Sequence, residues 1–143
     1  MLVTAALAVA VYLTRTADVE VGLPPGADDD ACAAAGARWP ADVAGEAARP
    51  TAPEHRAVRA WGNPAVIARC GVPPLGPTTE QCISVDGIDW VASRLDDGVR
   101  LTTFGTTPAI ELLVPQDYAP APLLLPAFAE AAGELPPNGR RCS

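Results

Sequence analysis

The chain has 143 residues, of which 49% are hydrophobic and only 5% aromatic, and it carries a net charge of −7. This is the size of one ordinary domain, with a core that has to be built mainly from Ala, Val, Leu and Ile. The acidity excludes the basic stripe that displaces counterions from nucleic-acid phosphates and simple attraction to an anionic membrane surface; all ten basic residues are arginine.

Residues 2–13 are apolar apart from Thr4 and uncharged, and Arg15 follows. As a helix they span roughly 18 Å, against about 30 Å of bilayer hydrocarbon. The run has the length of a signal-peptide apolar region. It lacks the basic residues that normally precede one, and no A-x-A cleavage site follows Leu13. Residues 1–14 are therefore read as a partial, uncleaved membrane anchor or signal segment, with more apolar residues expected upstream. Residues 15–28, with V-G-L-P-P-G, read as an extended tether. Residues 29–143 read as a single extracytoplasmic α+β domain.

Asp28-Asp29-Asp30 precede A-C-A-A-A and predict a short capped helix at about 29–36, ending near Gly36, because Asp accepts from the free N–H groups of a first turn. The same three aspartates lack the alternating ligand spacing of a calcium loop. Residues 37–62, with Pro40, Gly45, Pro50, Pro53 and Gly62, read as irregular surface chain. Strands are expected at 65–70, 82–85, 88–95, 99–104 and 109–114. Asp86-Gly87 between apolar runs signals a tight hairpin, and Asp97-Gly98 repeats the signal. Thr107-Pro108 turns the chain into the last strand, whose Ile110, Leu112 and Val114 share one face. A final helix is expected from P-A-P-L-L-L-P-A-F-A-E-A-A-G, with Leu124, Phe128, Ala131 and Leu135 on its inner face and Pro122 or Pro126 in its first turn. The expected fold is thus α+β: a small antiparallel β-meander of about five strands, one helix before it and one after, both packed on one face.

The four cysteines lie at 32, 70, 82 and 142. None forms a C-x-x-C pair, which argues against a zinc knuckle or a thioredoxin-like redox motif. An even number of widely spaced cysteines predicts two disulfides in an oxidising compartment. Four cysteines allow three pairings. Cys70 ends one strand and Cys82 begins the next, so they are expected as hairpin neighbours, leaving Cys32 to pair with Cys142. Chain-entropy models assign about 3 kcal/mol to the short loop and roughly 4–5 to the long one.

Catalytic signals are sparse. His55, the only histidine, sits in the polar run P-E-H-R. A hydrolase triad needs a histidine between a nucleophile and an orienting acid, but there is no G-x-S-x-G, and Ser84, Ser93 and Ser143 fall in strands or at the tail. One imidazole does not build a metal site, and no metal or cofactor is expected. Asp86, Asp89, Asp96 and Asp97 crowd the hairpin turns. They read as turn residues, against the alternative of two facing carboxylates running acid–base chemistry. Trp61 and Trp90 supply bulk that a core poor in aromatics needs; if they instead line a surface, Trp61, Asn63, Arg69 and Trp90 are the candidate binding residues.

Ala31-Cys32, the W-G-N-P-A-V-I-A-R-C-G-V block from 61 to 72, the V-D-G-I-D-W hairpin at 85–90, T-T-F-G at 102–105 and the strand ending Val114-Pro115 occur together in one order. In this combination the chain resembles an actinobacterial envelope family catalogued as domain of unknown function 3515. The likeness covers roughly residues 29–135. The resemblance implies an N-terminal membrane segment and brings no catalytic residues. Here that segment is short and the last helix begins Pro-rich.

The resulting expectation is an extracytoplasmic domain tethered to the cell membrane, or secreted, that binds an envelope protein or cell-wall component without catalysis. Two alternatives stand beside it: a small envelope enzyme using the hairpin carboxylates, and a secreted inhibitor-like module presenting the 71–81 loop. An apolar groove at Trp61 and Trp90 would favour binding, a deep pocket with two facing carboxylates the enzyme, and an exposed, stiff loop the inhibitor.

Overall fold

The computed structural model describes residues 5–11 and 17–143. Of the expected anchor, residues 5–11 are helical and exposed, and the rest of 1–14 lies outside the described residues, as do residues 15 and 16 of the tether. Among the described residues no helix is long and apolar enough to cross a membrane.

After β1 (Val19–Glu20), α1 (Asp30–Gly36) forms where the acidic run predicts it. Asp29 is its N-cap, and its carboxylate accepts from the Ala31 N–H at 2.8 Å. Then come β2 (Asp42–Val43), β3 (Glu46–Arg49), β4 (Thr51–Ala52), β5 (Val58–Trp61), β6 (Val66–Val72), β7 (Gln81–Val85), β8 (Ile88–Leu95), β9 (Gly98–Phe104) and β10 (Ala109–Pro115). A 3-10 turn at Gln116–Tyr118, a 3-10 helix at Ala121–Phe128 and α2 (Ala129–Gly133) complete the chain. The expected single last helix is therefore split. Pro126 lies inside it and has no N–H to donate, so the first half winds as the tighter form. Its inner face is as expected: Leu124, Phe128, Ala131 and Leu135 are all buried.

The sheet is larger than five strands and is not a simple meander. Its eight strands run in the order β2-β3-β5-β6-β10-β9-β8-β7, and a separate parallel pair joins β1 to β4. The stretch 37–62, expected to be irregular, supplies β2 to β5. These strands are two to four residues long, rich in Ala, Arg and Glu, and carry little hydrophobic alternation. Backbone pairing against the next strand builds them, a tertiary effect that outweighs weak β propensity. The two hairpin turns form as signalled. Asp86 and Gly87 both take positive φ, 52° and 78°, the mirror-image turn that suits the twist of a hairpin. The second turn shifts by one residue, with Leu95 paired to Gly98 across Asp96-Asp97.

Residues directly opposed in a ladder share a face. Trp61, Val66, Ala68, Ile110, Leu112, Leu101, Thr103 and Trp90 follow one another across the sheet on one side. Both α-helices and the 3-10 helix pack on that side, in one core that also holds Cys32, Cys70 and Phe128. Phe128 meets Trp61 edge-on, with ring centroids 5.4 Å apart, and Trp39 at 6.4 Å. The Trp61 indole N–H is satisfied by the Pro40 carbonyl at 3.0 Å.

The cysteines pair differently from the expectation: Cys32 with Cys70, and Cys82 with Cys142. The expected Cys70–Cys82 bond fails because β6 and β7 are not neighbours. Three strands lie between them, about 19 Å at the usual strand spacing, whereas a disulfide needs Cα atoms within about 7 Å. In the observed bonds the Cα atoms are 5.5 and 5.6 Å apart. Cys32–Cys70 staples α1 to the central sheet, and Cys82–Cys142 ties the tail to the edge strand. All four cysteines are bonded, which fits an oxidising compartment.

Gly71 has φ +111°, and a Cβ there would run into the backbone of Gly26 and Ala27. Gly26 N–H also donates to the Gly71 carbonyl at 2.8 Å, so the tether segment lies directly on β6. Gly71→Ala is expected to cost at least about 2 kcal/mol in urea unfolding. Gly22→Ala, where a Cβ meets nothing within 4 Å, is the control and should change stability by less than about 0.5 kcal/mol. Equal behaviour of the two variants would remove this contact from the account of stability.

Candidate functional site

Trp61 and Trp90 are core residues, as the shortage of aromatics suggested, and not part of the alternative binding surface. Trp61 and Trp90 are both 0% exposed, so no groove forms around them. Asn63 is exposed in the turn between β5 and β6. Arg69 lies on the sheet face turned away from the helices, 3.5 Å from Glu111 of the neighbouring strand. The four residues do not converge.

The hairpin carboxylates do not face one another in a pocket. An open cavity of about 520 Å³ lies beside the β7–β8 turn and the tail. Asp89 lines it, but both of its oxygens are engaged: one accepts from the Ser84 hydroxyl at 2.6 Å, the other from the Cys142 N–H at 2.8 Å. Asp89 thus helps to fasten the tail that the Cys82–Cys142 bond holds. His55 is likewise occupied. Its Nδ1 accepts from the Ala57 N–H at 3.0 Å, which requires that nitrogen to be unprotonated. Nε2 then carries the hydrogen and donates to Asp28 at 3.0 Å. No free nitrogen remains to serve as a base. Among the described residues no group of three or more His, Cys, Asp or Glu side chains is placed to hold a metal ion. The 73–80 loop is largely exposed, with a different disulfide at each end rather than one closing it.

A larger cavity, about 840 Å³, opens between residues 48–51 and 54–59. β3 pairs with β5 only through Ala48–Trp61 and Arg49–Ala60. Beyond that point Thr51 and Ala52 pair with β1 instead, so the two segments part and leave a cleft. Val58, buried, and Pro50 give it an apolar wall, and Arg49, Arg56, Arg59, His55 and Glu54 give it polar ones. Three arginines face one acid there, in a chain of net charge −7.

The arginines have different tasks. Arg49 donates through Nη1 to the Gly62 carbonyl at 2.7 Å and through Nη2 to the Ala17 carbonyl at 2.9 Å. It binds the tether segment and the β5–β6 turn to the sheet edge. Near it, burial and then the carboxylates of Glu46 and Asp117 push the Tyr118 hydroxyl above the usual tyrosine pKa, against the lowering effect of Arg49. That hydroxyl donates to the Pro64 carbonyl at 2.6 Å. Arg56 and Arg59 make no side-chain hydrogen bond or ion pair among the described residues; Arg56 is exposed and Arg59 half-buried. Composition hid this cluster, because R-P-T-A-P-E-H-R-A-V-R reads as loop and an acidic chain does not advertise a cationic pocket. The only sequence signal was three arginines within eleven positions.

A disulfide-stapled α+β domain with helices on one face of an eight-stranded antiparallel sheet, and with a cationic cleft at the edge of that sheet, is the class these features define. Within that class the chain belongs to the family described as "Protein of unknown function (DUF3515)", whose family model matches residues 1–137. No curated protein and no solved structure matches it.

Proposed function

We propose that this protein is an extracytoplasmic, membrane-tethered domain without catalysis, which binds an envelope component or protein through the cleft lined by Arg49, Arg56 and Arg59. The carrying observation is a pair of guanidinium groups, Arg56 and Arg59, left without partners beside an apolar wall in an otherwise acidic chain. With no internal partner, both guanidinium groups remain available to an external group. Two disulfides support an address outside the cytoplasm. The exposed apolar side chains Leu7, Val9 and Val11 of the N-terminal helical residues support a membrane tether. The engaged states of His55 and Asp89 leave the enzyme alternative without an acid–base pair. One observation favours the inhibitor-like reading in second place: the exposed 73–80 loop leads away from Cys70 and into Cys82, both of them bonded.

The test is co-sedimentation of the full chain with envelope isolated from its host. Saturable retention is expected, at least about threefold weaker for Arg56→Gln/Arg59→Gln, since a hydrogen bond to a charged group contributes roughly 1.5–3 kcal/mol. Equal retention of the variant and the parent chain would take the cleft out of the reading.

A further inference from the structure

We infer that the ligand of the cleft presents an oxyanion, a phosphate or carboxylate group, gripped jointly by Arg56 and Arg59. This inference rests on the binding reading above and names the chemistry of that site. Guanidinium is planar, stays charged, and offers parallel N–H donors that match two oxygens of a carboxylate or phosphate. Arg56 and Arg59 are three residues apart, so their Cα atoms are separated by no more than about 11 Å, and both line the same cleft. Neither has an internal acid to neutralise it. Glu54 is the one carboxylate lining the cleft, and it enters no ion pair among the described residues. Asp28, the nearest acid to His55, is held by the imidazole Nε2–H.

Arg49 completes the arrangement without being a ligand. Its two Nη groups are committed to backbone carbonyls, so it fixes the wall of the cleft and contributes charge rather than a fork. Val58 and Pro50 line the cleft beside the two arginines and offer them no competing acceptor side chain. Arg38 pairs with Glu134 and Arg69 with Glu111, each at 3.5 Å, and the exposed Arg94 lines neither of the two cavities.

The experiment is a nuclear magnetic resonance titration of the full chain, following the arginine Nε–Hε signals. The probes are sodium phosphate and sodium citrate, with sodium chloride at matched ionic strength as reference. The Arg56 and Arg59 signals should shift saturably while that of Arg94 stays still. The fitted affinity should fall at least about tenfold in Arg56→Gln/Arg59→Gln, and it should weaken with added salt. Saturation by phosphate alone assigns a phosphate-bearing ligand, and saturation by citrate alone a carboxylate-bearing one; saturation by both supports the shared chemistry. Shifts that are linear, or no larger at Arg56 and Arg59 than at Arg94, overturn the inference in the parent chain itself, whatever the stability of the variant. If envelope co-sedimentation persists in that case, the binding reading stands with a ligand of other chemistry. If co-sedimentation is also lost, both fall.

Discussion

Replacing Cys32 and Cys70 together by alanine should lower stability by about 4–5 kcal/mol and the melting temperature by on the order of 15 °C. The bond closes a separation of 38 residues, for which loop-closure entropy gives about 3.9 kcal/mol. Both sulfurs sit in the core at 0% exposure, so the double variant also leaves space where α1 meets β6. By loop length alone the Cys82–Cys142 bond, with a separation of 60, should be worth slightly more, about 4.3 kcal/mol. The structure reverses that order. Cys82 and Cys142 lie outside the core cluster that holds Cys32 and Cys70, and the residues from Pro136 to Arg141 are exposed. Loss of this bond opens no space in the core, and the sheet and helices keep their contacts. Cys82→Ala/Cys142→Ala should therefore cost less. Urea unfolding of the two variants under identical conditions checks this, and a larger loss for the 82–142 variant would show that constraint of the unfolded chain dominates over core packing.

Phe128→Ala should cost about 3–5 kcal/mol, the range for removing a fully buried aromatic. Phe128 is 0% exposed and sits edge-on between Trp39 and Trp61. Those contacts join the loop after α1, the sheet and the C-terminal segment. In a chain with two phenylalanines and three tryptophans, no other large side chain is at hand to fill the space. The loss includes the edge-to-face contacts, each worth roughly 0.5–1.5 kcal/mol beyond burial. Leu123→Ala, five positions earlier and 74% exposed, should change stability by less than about 0.5 kcal/mol. A loss below about 1 kcal/mol for Phe128→Ala would mean that the C-terminal segment contributes little to the core.

The strands from β6 to β10 were legible because alternation, Asp-Gly turns and Val/Ile content agree there. The inner face of the C-terminal segment was legible from its spacing. The strands before β6 were not, since their few residues are small, charged or interrupted by proline and become strands only through their neighbours. The cleft was hidden for a related reason. Arg49 and Arg56 are separated in the chain by a Pro-rich turn, and it is the switch of Thr51 and Ala52 from β5 to β1 that opens a cavity between them.

Composition and pattern by themselves determined the α+β class, the capped first helix and the disulfide-bonded state of the cysteines. These properties follow from local preference and from sums over the chain. The tertiary structure alone decided the strand order, the cysteine pairing, and the placing of Arg56 and Arg59 in one cleft. Each depends on which strand lies beside which. β10 returns to pair with β6, placing three strands between Cys70 and Cys82, and no local signal records that choice because it is set by burying the most apolar strands at the centre of the sheet.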